Sequence, residues 1–231
     1  TCVQQLYACM RISVAVCGIR EIALERDRRA NKRTLAESLV PLVVLAILIY
    51  HWGSLVPVRW QNINAAKEGF SPMPLTYILA VFFFLGIFYY AAMASDEWKT
   101  DLRGRWAVLG GATGLVLALA GPTTYNIEAG RWGGYFWWCA AHWPAIGDRS
   151  VFFLLLAPLG GMLLGIMARR LVHQAGGAVG WLWLCSYASW TASFLANRQV
   201  FHRYFEPATL VFLTLWVVLL VRFKPAGVTF R

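Results

Sequence analysis

The sequence predicts an all-α protein: a polytopic transmembrane helix bundle with six full spans and a partial or interfacial helix at its amino end. Three observations carry this. The 231 residues are 59% hydrophobic and only 14% charged, with a mean hydropathy of +0.55. An ordinary soluble domain is about 45–50% apolar and about 25% charged. The charges also sit in short clusters between long charge-free runs. Those runs meet or approach the roughly 20 residues that a helix needs to cross the hydrocarbon core. So much apolar surface excludes intrinsic disorder and an ordinary water-soluble globule. No segment alternates apolar and polar residues as a membrane β-strand does.

The spans follow in order. Ser38–Pro57 reads SLVPLVVLAILIYHWGSLVP, and Pro74–Ala94 is free of charge. Trp106–Thr123 is shorter and glycine-rich; Val151–Ala168 contains Pro158, a residue that kinks helices. Gly177–Ala196 and Pro207–Val221 complete the six, the last extending backward through Phe205 and Tyr204. Cys2–Ile19 is the weaker seventh, because Arg11 lies inside it. The whole of 1–231 reads as a single transmembrane domain. The chain opens at Thr1 with no charged, cleavable leader ahead of the first apolar stretch. The expectation is a fragment lacking the N-terminal part of a longer membrane protein.

Charge orients the bundle. With strict alternation, one side receives Arg20–Glu37, Ser95–Arg105, Arg169–Gly176 and Arg222–Arg231, which hold 6, 3, 2 and 3 basic residues. The opposite loops, Val58–Met73, Thr124–Ser150 and Asn197–Glu206, hold 2 each. By the positive-inside rule the first group is cytoplasmic. This sorting explains most of the net charge of +10, so no nucleic-acid partner is needed. Trp52, Trp60, Trp98, Trp106, Trp132, Trp137, Trp138, Trp143 and Trp181 cluster near the span boundaries and read as interfacial anchors. Gly110-x-x-x-Gly114 and Gly161-x-x-x-Gly165 are small-residue pairs that permit close helix approach. Five cysteines, odd in number and without a C-x-x-C pair, argue against a disulfide framework or a metal site. No cofactor is implied. Phosphate-loop, zinc-protease and nucleophile-elbow motifs are absent, and no charged residue lies centrally in the six spans.

The informative residues lie in the extracytoplasmic loops, where arginines sit beside aromatic residues: Arg59–Trp60, Arg131–Trp132 and Arg203–Tyr204. Guanidinium groups recognise phosphate through bidentate hydrogen bonds, and aromatic faces suit sugar rings and lipid headgroups. The competing reading is that these arginines snorkel to lipid phosphates within an aromatic belt. The third loop is the densest, with Arg198, Gln199, His202, Arg203, Tyr204 and Glu206 ahead of a helix expected to begin near Pro207. The helix amino end there favours anions. In the second loop, Tyr125–Asp148 is expected to lie along the interface, with a short amphipathic helix around Tyr135–His142.

The stretch Asn197-Arg198-Gln199-Val200-Phe201-His202-Arg203-Tyr204-Phe205-Glu206-Pro207 resembles a Q-x-x-x-R-Y-x-E-P stretch near the end of large bacterial membrane proteins similar to GT-C glycosyltransferases. Gln199, Arg203, Tyr204, Glu206 and Pro207 carry the match. Trp52–Pro57 and Glu128–Gly134 are weaker similarities. The resemblance covers the C-terminal part only. It implies sugar transfer from a polyprenyl-phosphate donor at the extracytoplasmic face, in the bacterial inner membrane. Arg203, Arg198, Arg131, Tyr204 and Trp132 would then contact the donor. That family's catalytic acidic residue lies in a first extracytoplasmic loop, expected to fall before Thr1, so the catalytic residue is unknown. The alternative is a non-enzymatic polytopic protein, a transporter half or a lipid-binding scaffold. Membrane lipids are partners under either reading.

Overall fold

The computed structural model describes residues 70–93, 98–129, 131–174, 177–196 and 202–222, with Val43, Ile47 and Tyr50; for residues 93, 98–100, 178, 196 and 202–204 it describes the backbone alone. The expected helix Cys2–Ile19, the loop Arg20–Glu37 and nearly all of the span Ser38–Pro57 lie outside the described residues. The described chain is helical: α1 (Met73–Met93), α2 (Trp98–Arg103), α3 (Arg105–Ala120), α4 (Tyr135–His142), α5 (Val151–Gln174), α6 (Gly177–Ala192) and α7 (His202–Arg222). Ser193–Ala196 continues α6 as a 3-10 turn. A two-stranded antiparallel hairpin, β1 (Ala145–Ile146) with β2 (Arg149–Ser150), is confined to the loop before α5.

Among the described residues, three helices are long and apolar enough to cross a membrane: Met73–Ala92, Val151–Gln174 and Phe205–Arg222. The expected span Trp106–Thr123 is replaced by α3, whose 16 residues cover about 24 Å against a hydrocarbon core of about 30 Å. Gly121 ends α3 in extended conformation, and Pro122 follows it. The expected span Gly177–Ala196 is divided between a 16-residue helix and the 3-10 turn. At the other extreme, α5 runs past its expected end at Ala168 to Gln174, because Arg169, Arg170 and Leu171 are sound helix formers. Pro158 lies inside α5, where it cannot donate to the Leu154 carbonyl.

Helices α1, α3 and α5 meet along backbone. A Cβ placed at Gly110 or Gly161 would run into the carbonyl oxygen of the other. One at Gly114 would meet the Ala157 carbonyl, one at Gly165 the Trp106 carbonyl, and one at Gly160 the Leu79 carbonyl of α1. The two small-residue pairs of the sequence therefore pack against the same seam. Few α3 side chains are buried, chiefly Ala107 and Ala118, while Val108, Leu109, Leu115, Val116 and Leu119 are exposed. Without its glycines this helix would have little to hold it.

The rest of the core is aromatic. Tyr187 of α6 packs against Phe82 of α1 at 5.3 Å and Phe212 of α7 at 5.1 Å. Two buried indoles bridge helices by hydrogen bonds. Trp183 Nε1 donates to the Phe212 carbonyl at 3.0 Å, and Trp216 Nε1 to the Met167 carbonyl at 2.8 Å. Each donation satisfies an indole N–H that would otherwise be costly in an apolar interior.

One end of the bundle is tied by charge. Asp101 of α2 accepts from Arg170 Nε at 2.7 Å and Nη2, from Arg169 Nη1 at 3.3 Å and from the Tyr90 hydroxyl at 3.1 Å. The Arg170 guanidinium also lies over the Tyr90 ring, 5.1 Å from its centroid. Asp101 and Arg170 are both buried. The loops sorted to one side by charge, Ser95–Arg105 and Arg169–Gly176, are thus brought into direct contact.

Four variants test this packing. Gly161→Ala should cost about 1–3 kcal/mol through overpacking against α3. Gly177→Ala, at a position with nothing within 4 Å, should change stability by no more than about 0.5 kcal/mol. Asp101→Asn should cost about 3–5 kcal/mol because it strands a buried guanidinium. Arg169→Gln should cost about 1 kcal/mol or less, since that partner is partly exposed. Thermal or denaturant unfolding in detergent micelles reads all four.

Candidate functional site

The opposite end of the bundle is capped by the segment between α3 and α5. After Gly121 the chain doubles back through a bridge between Asn126 and Arg131, whose main-chain N–H groups donate to each other's carbonyls at 3.0 and 2.8 Å. The Asn126 side-chain oxygen accepts from Ala129 N–H at 2.8 Å and closes the turn. Gly133 and Gly134, at φ 75° and 110°, then swing the chain into α4. Larger residues are strained at these angles, so the Gly-Gly pair sets the direction of entry.

Helix α4 occupies Tyr135–His142, as the sequence predicts. Phe136, Trp137, Cys139 and Ala140 face inward, and Tyr135, Trp138 and His142 face outward. The inner face docks on the starts of three helices through Tyr77. That ring lies 5.5 Å from Phe136 and Trp137, 5.8 Å from Phe153 of α5 and 5.6 Å from Phe205 of α7. Trp137 is fully buried. Its expected role as an interfacial anchor is corrected, because inward-facing helix geometry overrides the preference of indole for the headgroup level. Trp132, Trp138, Trp143 and Trp181 do remain exposed.

Polar contacts weld the cap to the bundle. Gly147, at φ 60°, turns β1 into β2. Thr123 N–H donates to the Asp148 carbonyl at 2.8 Å, and Thr123 Oγ1 accepts from Ser150 N–H at 3.0 Å. Arg149 Nε caps α3 by donating to the Leu119 carbonyl at 2.9 Å.

Arg131 is the central charge of this end. It is 8% exposed, and its Nη1 donates to the Pro122 carbonyl at 3.1 Å. Its Nε–H is buried with no hydrogen-bond partner among the described residues. Burial lowers its pKa from the ordinary guanidinium value, and the Asp148 carboxylate acts in the opposite direction. A guanidinium remains protonated at neutral pH in any such setting. A buried donor on a charged group is costly when unpaired, and an incoming anion would relieve that cost. Trp132 beside it is exposed.

The third-loop residues are placed in part. His202, Arg203, Tyr204 and Glu206 belong to the first turns of α7, not to a loop before it, and Pro207 sits inside the helix. The expected helix start at Pro207 is therefore corrected. Pro207 is the sixth residue of α7, past the N–H groups that lack a helix partner, so it removes the donor facing the Arg203 carbonyl. Glu206 is half-buried. Arg198 and Gln199 lie outside the described residues. The start of α7 reaches the cap through Phe205, which touches Tyr77 and also Phe194 at 4.8 Å. Arg131, Trp132 and the Arg203–Glu206 turn thus occupy one end of the bundle.

Tyr77 was not singled out from sequence. It is 1% exposed, its hydroxyl has no hydrogen-bond partner among the described residues, and Glu206 is close enough to act on it electrostatically. The signal available was a hydroxyl pair, Thr76-Tyr77, inside an otherwise apolar run. Cys139 and Cys185 are free thiols. Among the described residues no group of three His, Cys, Asp or Glu is placed to hold a metal ion. No protein family, no curated protein and no solved structure matches the chain.

Trp137→Ala should cost about 3–5 kcal/mol, because it empties the contact between α4 and Tyr77. Trp138→Ala, on the outward face, should change stability by about 0.5 kcal/mol or less. Unfolding of the two variants in the same micelles makes the comparison.

Proposed function

We propose that the chain binds the phosphate of a polyprenyl-phosphate-linked sugar at its aromatic end, as part of a membrane glycosyltransferase of the GT-C kind. The observation that carries the reading is Arg131: a buried guanidinium with an unpaired Nε–H, fixed by the Pro122 carbonyl and flanked by exposed Trp132. Nε–H belongs to the side of the guanidinium fork that pairs bidentately with oxyanions. The first turn of α7 adds His202, Arg203 and Tyr204 to the same end, and Arg198 and Gln199 precede them in the sequence. In the reaction, an acceptor hydroxyl attacks the anomeric carbon. The bond from that carbon to the phosphate oxygen breaks, and the lipid phosphate leaves with the electron pair. The arginines stabilise the charge that develops there. The acceptor proton passes to a carboxylate outside the matched stretch. The resemblance around Gln199–Pro207 supports the sugar-transfer part; the buried arginine supports phosphate binding.

The same proposal includes a further span in 38–57, short traverses of the bundle by α3 and α6, an extracytoplasmic aromatic end and a bacterial inner membrane. Val43, Ile47 and Tyr50 support a span in 38–57: they are helical, exposed, and spaced as one face of a helix. The opposite placement of the arginine-rich end supports the orientation.

The test is binding of a polyprenyl phosphate and of the matching polyprenol, by native mass spectrometry from micelles. Wild type should retain the phosphate in preference to the alcohol. Arg131→Lys and Arg203→Lys should each weaken retention about tenfold, since lysine keeps the charge but loses the fork. Equal binding of phosphate and alcohol, or full tolerance of both lysines, would overturn the reading.

A further inference from the structure

We propose that the other end of the bundle holds the phosphate headgroup of an anionic phospholipid, between the Arg169 and Arg105 guanidiniums and beside the Trp106–Trp181 pair. This site lies apart from the aromatic end and does not depend on the function proposed for it.

The first argument is charge. Arg103 and Arg105 are exposed and stand within four residues of Asp101; Arg169 and Arg170 reach the same carboxylate from α5. Asp101 is the one acidic side chain described at this cluster, and it is already shared among Arg169, Arg170 and Tyr90. The amino end of α3 begins at Arg105 with no acidic residue in its first turn, so its dipole adds positive potential. Over 95–105 and 169–176 the sequence holds five basic and three acidic residues, a surplus that an anion would neutralise.

The second argument is preorganisation. The Arg169 guanidinium is held by Asp101 at 3.3 Å, yet its side chain is 33% exposed. It is thus positioned for a ligand while still reachable, which lowers the ordering cost of binding. A net-anionic headgroup gains more from such a group than a zwitterionic one, whose own ammonium offsets the charge of its phosphate.

The third argument selects a lipid over a soluble phosphate. Trp106 and Trp181 lie 5.8 Å apart, and Trp181 is exposed. Indoles favour headgroup depth. Arg105 continues down one face of α3 into Val108, Leu109 and Val116, all exposed. A phosphate at Arg105 would lay its acyl chain along that apolar face, where soluble phosphate gains nothing.

The test uses native mass spectrometry of the chain in micelles, titrated separately with phosphatidylglycerol, phosphatidylcholine and inorganic phosphate. A single retained phosphatidylglycerol, favoured over phosphatidylcholine by about tenfold, is expected. Arg169→Gln and Arg105→Gln should each abolish that preference. Arg222→Gln should leave it intact. That residue is exposed on α7, whose Trp216 bonds to Met167 of α5, so it tests general attraction at the same end. Arg169→Lys, which keeps charge and fold, should retain part of the preference. Equal retention of the two lipids, or an equal loss in Arg222→Gln, would overturn the site. Displacement of the lipid by inorganic phosphate would overturn its assignment to a lipid.

Discussion

The backbone contact between α3 and α5 is the constraint on which the rest of the structure depends. Gly110 and Gly161 meet with no room for a Cβ on either, and Gly114, Gly160 and Gly165 extend that closeness to Ala157, Leu79 and Trp106. Between apolar helices in lipid, burial against water supplies little driving force; close van der Waals packing supplies more. The seam lets a 16-residue helix with a mostly exposed surface hold its place. It also fixes how far α5 projects at either end. Arg169 and Arg170 come level with Asp101, and Phe153 comes level with Tyr77 and Trp137.

Two chemically different ends follow. One is an ion cluster in which a single carboxylate orders two guanidiniums and a phenol. The other is an aromatic cap sewn down by main-chain bonds from Thr123 and Ser150, with one buried arginine inside it. Ionised groups are expensive in hydrocarbon and settle near the boundaries. The aromatic core between the ends, with Tyr187, Trp190 and Phe212 in mutual contact, keeps them apart.

Much of this is legible in the sequence because long apolar runs and charge clusters are strong signals. The span in 74–94, the helix at Tyr135–His142 and the pairing role of the glycines all follow from residue type and spacing. Helix ends were less legible. The run of apolar residues stops at Ala168, but the helix continues, because Arg169 and Arg170 find Asp101 instead of water. Pro207 suggests a helix start, yet the helix begins five residues earlier at His202 and forgoes the bond to the Arg203 carbonyl. Tyr77 and Trp137 were obscured for a related reason: composition does not say which way a residue on a short helix points. At the candidate site, Arg131 was visible as an arginine beside tryptophan, but its burial came only from the Asn126 turn.

The central claim is that the ion cluster and the aromatic cap lie on opposite sides of a membrane. Labelling of single cysteines by a membrane-impermeant maleimide tests it most directly. The cysteines replace exposed Arg103 and exposed Tyr135 in a chain whose five native cysteines have been changed to serine. With the chain in sealed cells, the account predicts labelling at position 135 and protection at position 103 until the membrane is permeabilised. Labelling of both positions in intact cells, or protection of both, would contradict it.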